Sequence, residues 1–553
     1  MKKRKRRLLS LALCVILMLS ACGSQESGTT DTTEGTSGSG TATTDASSGQ
    51  GTDSSLWFDE ELVITILMQD NTSQPLIDYA PAQQEIHRKT NVRLEYQIVP
   101  LSSFTEKQNV LLATNNFPDM IKVSQGNLTS YAEEGIFVPL MQYVNEETMP
   151  NFYRLWKEYE EKLVKFLVND ELYAFPAIQR DEARNGFGVV LRTDLLEKHN
   201  FEIPDTFDEL IDVMASLKEI YPDSIPYTGR KGTSQLLSTV SYMLGSGAGL
   251  YYDYDVDGGR YVYGPATENF KAVLSFLNEC YERGVLDPDF ATTTTEQLQS
   301  KMTSGQSFMF IDNSGFGQNY TQLLRTQEGY EDATLQVIPV PENSFGQRRA
   351  VAYETTTTDR LFAINASTER IDDIIKFIDW LYSEEGSNIT NYGVEGESFY
   401  VDEEGEPHFI EEYINNVDDT GFQSKYYAVY TELGITKLNF SLWCTNTKTQ
   451  FEIQRITGDW NDVVEEYWQI IEADDAYVDP YIAPSLTLEE SERVTDLLTS
   501  LTTMLDQEYN KYIMGIEPVE NWDQVILRAE ELGVREIEEI YNTADARYTD
   551  RLE

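Results

Sequence analysis

Basic residues are scarce in this chain: 42 Lys and Arg stand against 93 Asp and Glu in 553 residues, a formal net charge of -51. A surface that acidic repels nucleic acid and anionic lipid, so neither is an expected partner. An anionic ligand would need local bases such as Arg180, Arg184 and Arg192 to gather around it. Histidine is scarcer still. His87, His199 and His408 lie far apart, with no HExxH motif and no Cys partners, so zinc is not expected. Of the four cysteines, Cys14 and Cys22 fall near the amino terminus, leaving Cys280 and Cys444. One disulfide between these two is allowed, but Cys280 closes the helical pattern Val273, Leu274, Leu277, Cys280 and reads more simply as a buried thiol. No GxxxxGK[ST] phosphate loop occurs. Long apolar runs are also missing: Leu8–Leu19 supplies about 12 residues where a bilayer span needs about 20.

That short run leads into Leu19-Ser20-Ala21-Cys22 and follows Lys2-Lys3-Arg4-Lys5-Arg6-Arg7. The arrangement resembles a bacterial lipoprotein signal with its lipobox. The resemblance implies that residues 1–21 are a signal peptide, that Cys22 receives a diacylglyceryl group on its thiol, and that the new amino terminus is acylated, palmitate being the expected chain. Two or more acyl chains at roughly 0.8 kcal/mol per buried methylene hold a protein stably at a membrane. The rest of the chain then faces outward from the bacterial cytoplasmic membrane, in the Gram-positive manner, touching the membrane through its lipid only. Residues 22–56, almost wholly Gly, Ser, Thr, Ala and Gln with a few acids, form a flexible linker with a root-mean-square reach of roughly 30 Å. From Trp57 onward about 500 residues of ordinary composition exceed one core and suit two large lobes.

The body reads as strands alternating with helices. Leu62–Met68 is an apolar, β-rich run, followed by polar Gln69-Asp70-Asn71, a helix through Ile86 and a strand Val92–Val99. Strand, polar loop, helix, strand is the opening of an open α/β sheet, and ligands in such sheets sit beyond the carboxyl ends of strands. Gln69, Asp70 and Asn71 are therefore candidate ligand residues, with an ordinary helix-capping turn as the alternative. Thr206 with Glu209, and Thr487 with Glu490, have capping-box spacing. Ile371, Ile374, Ile375 and Ile378 mark a helix packed into a core. Asp253, Asp255 and Asp257 followed by Gly258 match the first half of a calcium loop, but Gly264 stands where the bidentate Glu belongs. Asp257-Gly258-Gly259 between tyrosines is also a hairpin turn, and the hairpin is preferred over calcium.

Further segments carry a family resemblance. Phe117-Pro118-Asp119-Met120, Glu134–Leu140 and Leu172–Pro176 come first. Leu191–Leu196, Ile203–Leu210, Tyr281–Pro288 and Ser304–Phe310 follow, then Asp379–Gly386, Tyr392–Gly396 and Asn521-Trp522-Asp523. In this order they resemble extracellular solute-binding proteins of the maltose-binding type, in the lipoprotein branch that serves oligosaccharide importers. The resemblance implies an α/β, two-lobed periplasmic-binding-protein-like (type II) fold with interlobe crossovers and a helical carboxyl-terminal region. It places lobe 1 at 57–180 with about 313–365 returning to it, and lobe 2 at 181–312 with about 366–553. It implies a monomeric receptor, not an enzyme, that closes on an oligosaccharide and delivers it to the permease subunits of an ABC importer, with no cofactor.

Aromatic content, 33 Tyr, 24 Phe and 7 Trp, suits sugar ligands, whose C–H faces stack on rings while Asp, Asn, Gln and Glu bond the hydroxyls. Tyr353, Tyr400 and Trp443 are the candidate stacking residues, a core role being equally open for Trp443. Asp312 and Asn313 follow the apolar run Phe308–Ile311 and precede Gly315, as at a strand end. Asp119 and Glu395 join the ligand-binding set on family position alone. Rival readings are an oligopeptide receptor, a ligand-sensing partner of a signalling protein, or a surface-tethered polysaccharide-degrading enzyme using two of the acids. No acid pair is singled out for catalysis. If the lipobox is used, Cys22→Ser will release the protein from membranes or leave its precursor uncut; normal cleavage, lipid labelling and membrane retention in the variant would contradict the assignment.

Overall fold

In the computed structural model, residues 57–553 are described except 181–185, Asp257, 353–356, Gln423, 436–439, 459–468, 474–475, 479–480 and Glu553. The lipidation candidate Cys22 and the stacking candidate Tyr353 lie outside the described residues. Among the described residues no helix is long and apolar enough to cross a membrane.

The first sheet is built around β1 (Leu62–Asp70), whose Leu62, Ile64, Ile66, Leu67 and Met68 are all buried. β2 (Val92–Pro100) runs parallel to it from Leu62 opposite Val92 to Asp70 opposite Pro100, and β3 (Met120–Val123) runs parallel on its other side. The helix Pro81–Thr90 makes the crossover from β1 to β2, with Pro81 at its first turn and Asn91 in the left-handed region (φ 62°) ending it. β4 (Phe175–Gln179), β11 (Thr357–Ile364) and β14 (Trp443–Cys444) complete the order β14-β4-β11-β3-β1-β2.

The second sheet contains β5 (Gly186–Arg192), β8 (Met309–Asn313), β10 (Ala350–Ala352) and β15 (Tyr477–Val478), with β9 (Leu335–Val337) also pairing to β5. Its side chains alternate as a pleat requires. Val189, Leu191, Met309 and Ile311 enter one core while Val190 and Phe310 enter another on the opposite face. Two small hairpins, β6 (Leu250–Asp253) with β7 (Arg260–Tyr263) and β12 (Phe399–Val401) with β13 (Pro407–Phe409), complete the strands.

Both capping residues act as expected: the Thr206 and Thr487 hydroxyls accept from the Glu209 and Glu490 amides at 3.1 and 3.2 Å. They start the helices Phe207–Ile220 and Leu488–Ile513. Cys280 and Cys444 are buried and are not joined by a disulfide, one in the second core and one on β14.

The lobe boundaries differ from the expected ones in two places. After β8 the chain does not return to the first sheet at about 313: the helix Phe316–Arg325, β9 and β10 remain with the second sheet, and the return comes at β11. The stretch 366–553 divides. Ile374, Ile378, Tyr392, Tyr430 and Ile453 enter the core of the first sheet, whereas Val494, Leu501, Trp522 and Ile537 enter that of the second. Helical periodicity says that a helix such as Ile371–Leu381 buries a face, but not against which sheet.

Trp522 is the keystone of the carboxyl-terminal helices. It is fully buried between Tyr509, Tyr512 and Phe270, and its indole N–H donates to the Pro265 carbonyl at 3.0 Å. Trp522→Ala should cost roughly 3 to 5 kcal/mol of stability by urea unfolding, while Leu527→Ala on the exposed face of the next turn should change it by less than about 0.5 kcal/mol.

Candidate functional site

The chain passes between the two sheets three times: from β4 to β5, from β10 to β11, and from β14 onward to β15. The third passage leaves β14 at its carboxyl end but enters β15 at its amino end, level with the start of β10; the first two passages join one end of each sheet. On the first sheet this is the carboxyl end of β1, β3, β4 and β14 and the amino end of β11. On the second it is the amino end of β5 and the carboxyl end of β8, β10 and β15. Binding sites of α/β sheets lie beyond such strand ends, where loops are free to diverge.

Five of the sequence candidates are brought to this junction. Gln69, Asp70 and Asn71 end β1, all half-buried. Asp70 Oδ1 accepts from the Leu76 amide at 2.9 Å and Asn71 Oδ1 from the Ser73 amide at 3.1 Å, so these side chains also hold the turn that follows. Asp312 and Asn313 end β8 on the other sheet. Asp312 is 2 % exposed and receives a two-pronged pair from Arg230, Nε to Oδ2 and Nη2 to Oδ1, both at 2.9 Å. Asn313 Oδ1 accepts from the Gly315 amide at 2.9 Å.

The other described candidates lie elsewhere or are occupied. Asp119 precedes β3 at its amino end, away from the junction. Its carboxylate accepts from the Thr65 amide (2.9 Å), the Thr65 hydroxyl (2.7 Å) and the Thr368 hydroxyl (2.7 Å), which ties β1, β3 and the turn after β11 together. Trp443 does sit at the junction end, on β14, but it is 7 % exposed and Arg180 and Arg154 lie over its ring at 4.4 and 4.9 Å. Its indole N–H has no partner among the described residues. Glu395 and Tyr400 are exposed and sit off both main sheets, Tyr400 on the β12–β13 hairpin with its ring 5.7 Å from that of His408.

The structure adds residues that sequence reasoning did not select for a role. Arg180, at the end of β4, donates to Ser387 Oγ (3.1 Å), Asn388 Oδ1 (2.9 Å) and Glu384 Oε2 (2.7 Å), so its charge is compensated while its face lies on Trp443. Phe316 opens the helix that follows β8, half-buried, with the Arg230 guanidinium 5.1 Å from its ring. Tyr320 packs one turn later, its phenol held neutral by burial, which Arg230 partly offsets. The signal for Phe316 was the run Asn313-Ser314-Gly315-Phe316-Gly317, a ring placed between glycines just past a strand end.

Chemically the junction offers amides, paired carboxylates and guanidinium groups, and a ring: equipment for holding a polar molecule with apolar faces. Among the described residues no cluster of His, Cys, Asp or Glu could hold a metal ion. Asp253 and Asp255 belong instead to the β6–β7 hairpin, where Asp253 pairs in register with Arg260 and accepts from the Tyr251 hydroxyl (2.5 Å) and the Asp255 amide (3.1 Å). Asp257 lies outside the described residues.

Comparison with known proteins agrees with this architecture. Residues 70–388 match the family described as bacterial extracellular solute-binding protein. The chain is 24% identical over 328 residues to the polygalacturonan/rhamnogalacturonan-binding protein YtcQ of Bacillus subtilis, covering 57% of this chain and 62% of that one. It is 23% identical over 337 residues to the fructooligosaccharide ABC transporter substrate-binding protein FusA of Streptococcus pneumoniae, covering 57% and 60%. It thus spans less than two thirds of the length of these relatives. The crystal structure of the alginate-binding protein AlgQ2 superposes with a TM-score of 0.72 at 19% identity, over 90% of this chain and 100% of that one, which establishes the two-lobed fold. The resemblance read from the ordered segments is borne out, and the chain belongs to the bacterial extracellular solute-binding proteins.

Proposed function

We propose that this protein is a lipid-anchored receptor on the outer face of a bacterial cytoplasmic membrane that captures an oligosaccharide between its two lobes and hands it to the permease of an ABC importer. The observation that carries the reading is the junction itself: two passages, β4 to β5 and β10 to β11, join one end of each sheet, and hydrogen-bonding side chains from both sides, Asp70 and Asn71 on one and Asn313 and Arg230 on the other, stand at the ends so joined. A ligand touching both lobes at once stabilises only the closed arrangement, so binding and closure are coupled without any covalent chemistry. The names of the two relatives, one a polygalacturonan/rhamnogalacturonan binder and one a fructooligosaccharide transporter component, support a saccharide as the ligand class. The Leu19–Cys22 lipobox supports the anchor. The acidic, soluble body supports a tethered life outside the cell rather than one in contact with anionic lipid.

Two measurements test the reading. A saturating oligosaccharide should lower the radius of gyration in small-angle scattering and raise the melting temperature, with about 2.7 kcal/mol of added stability when the ligand stands at 100 times its Kd. A peptide that produces both effects, in a screen where no saccharide does, would replace the proposed ligand class. Phe316→Ala should weaken saccharide affinity by roughly 1 to 3 kcal/mol if the ring stacks on sugar, by analogy with stacking on bases. Unchanged affinity in that variant would remove Phe316 from the site.

A further inference from the structure

At the end of the second sheet opposite the interlobe junction, where β5 closes at Arg192 and β8 and β9 begin, the surface is hollowed into an open depression of about 1140 Å³. Two half-buried rings, Tyr221 and Tyr330, wall it over a floor of Phe308 and Arg192. Phe308 meets Tyr221 edge-on at 5.5 Å, and Tyr221 Oη bonds to Lys198 Nζ at 3.1 Å and to the His199 ring at 2.9 Å. Arg192 is 3 % exposed, lies 5.5 Å from the Tyr330 ring, and gives two hydrogen bonds to Asp194 at 2.7 and 2.6 Å. Tyr330 rests on the turn at Gly305, which has φ 74°; a Cβ at that position would stand 2.3 Å from the Tyr330 hydroxyl, so the glycine is what admits the ring.

These walls select a ligand chemistry. Both cations are already engaged, Arg192 by Asp194 and Lys198 by Tyr221, while Glu197, Asp223, Glu331 and Asp332 add negative charge around the opening. A phosphate or carboxylate would be repelled. A lipid tail would leave that many charged groups without water. A molecule with apolar C–H faces and many neutral hydroxyls meets both demands: the tyrosine rings stack on its faces, and the carboxylates with the Gln306 amide bond its hydroxyls.

We propose that this depression is a second saccharide site, for a neutral oligosaccharide or a segment of neutral polysaccharide, at the outer end of the second lobe and separate from the interlobe junction. The depression is complete in these residues and can bind whether or not the junction does. On a tethered protein such a site would hold a long chain near the membrane by one stretch.

The test is native electrophoresis of the protein through gels containing inulin, galactomannan or laminarin, with polygalacturonate as the anionic control. Retardation is expected in at least one neutral gel. Tyr330→Ala and Tyr330→Leu should weaken it by at least about fivefold in apparent Kd, while Tyr330→Phe, which keeps the ring, retains it. Tyr330→Leu preserves apolar packing, so an unchanged melting temperature in that variant separates loss of the site from loss of the fold. Retardation that survives both ring removals belongs to another surface and overturns the proposal. So does the absence of retardation in all three neutral gels, or retardation by polygalacturonate alone. The compaction seen by scattering reads the junction independently, so either site can fail without the other.

Discussion

Neither sheet of this protein can be completed from one continuous stretch of chain, and that constraint organises everything else. The first sheet borrows β11 from 357–364 and β14 from 443–444, and the second borrows β15 from 477–478. A strand left unpaired exposes a row of backbone donors and acceptors; β11 is paired on both flanks, while β14 and β15 close sheet edges against β4 and β10. Because β11 lies between β3 and β4, the first lobe cannot form its central pairing until the chain has gone out through the second lobe and come back. The two cores are thereby tied by strands that cross at the junction, and the helix Val534–Leu552 bridges them as well, with Ile537 in the second core and Tyr548 in the first; rotation about such ties leaves each core intact.

Within each body, buried polar groups brace the strands. Asp119 uses its two oxygens on three donors from β1 and the turn after β11, and Asp312 takes both prongs of Arg230. In the second lobe Asp287, fully buried, accepts from the Thr228 hydroxyl at 2.8 Å and pairs with Lys301. Such satisfied groups cost little to keep and much to break, since removing one partner strands a desolvated charge. Asp312 fixes the end of β8 at the junction in this way, and a binding surface assembled from such strand ends inherits that rigidity.

The legible part of the sequence was the local part. The β1 run and the helix after it, the two capping threonines and the Ile371 helix each carry their structure in a window of a few residues, and each formed as expected. The ordered family segments made the two-lobed fold legible as well. What could not be read was the partner of each segment. The stretch Phe316–Ala352 and the division of 366–553 depend on pairings hundreds of residues apart, which no local pattern encodes. The site suffered from a related ambiguity. An apolar run ending in polar residues looks the same whether the ring at its edge faces a ligand, the role proposed for Phe316, or lies beneath two guanidinium groups, as Trp443 does. Asp119 enters the ligand set on family position alone, which does not distinguish an acid that bonds a ligand from one that bonds its own backbone, as Asp119 bonds the Thr65 amide.

Electrostatics at the junction follow from the same economy. In a chain with a net charge of -51, isolated guanidinium groups would be expected to draw carboxylates, and at the junction they have: Arg180 is bonded to Glu384 and Arg230 to Asp312. A compensated guanidinium still has N–H groups and a flat face but no longer demands a counter-ion from its ligand. On the proposed reading this allows strong, directed hydrogen bonding to hydroxyls at a junction carrying little net charge of its own. The acidic surface around it then excludes anions at long range while the junction remains open to neutral polar molecules.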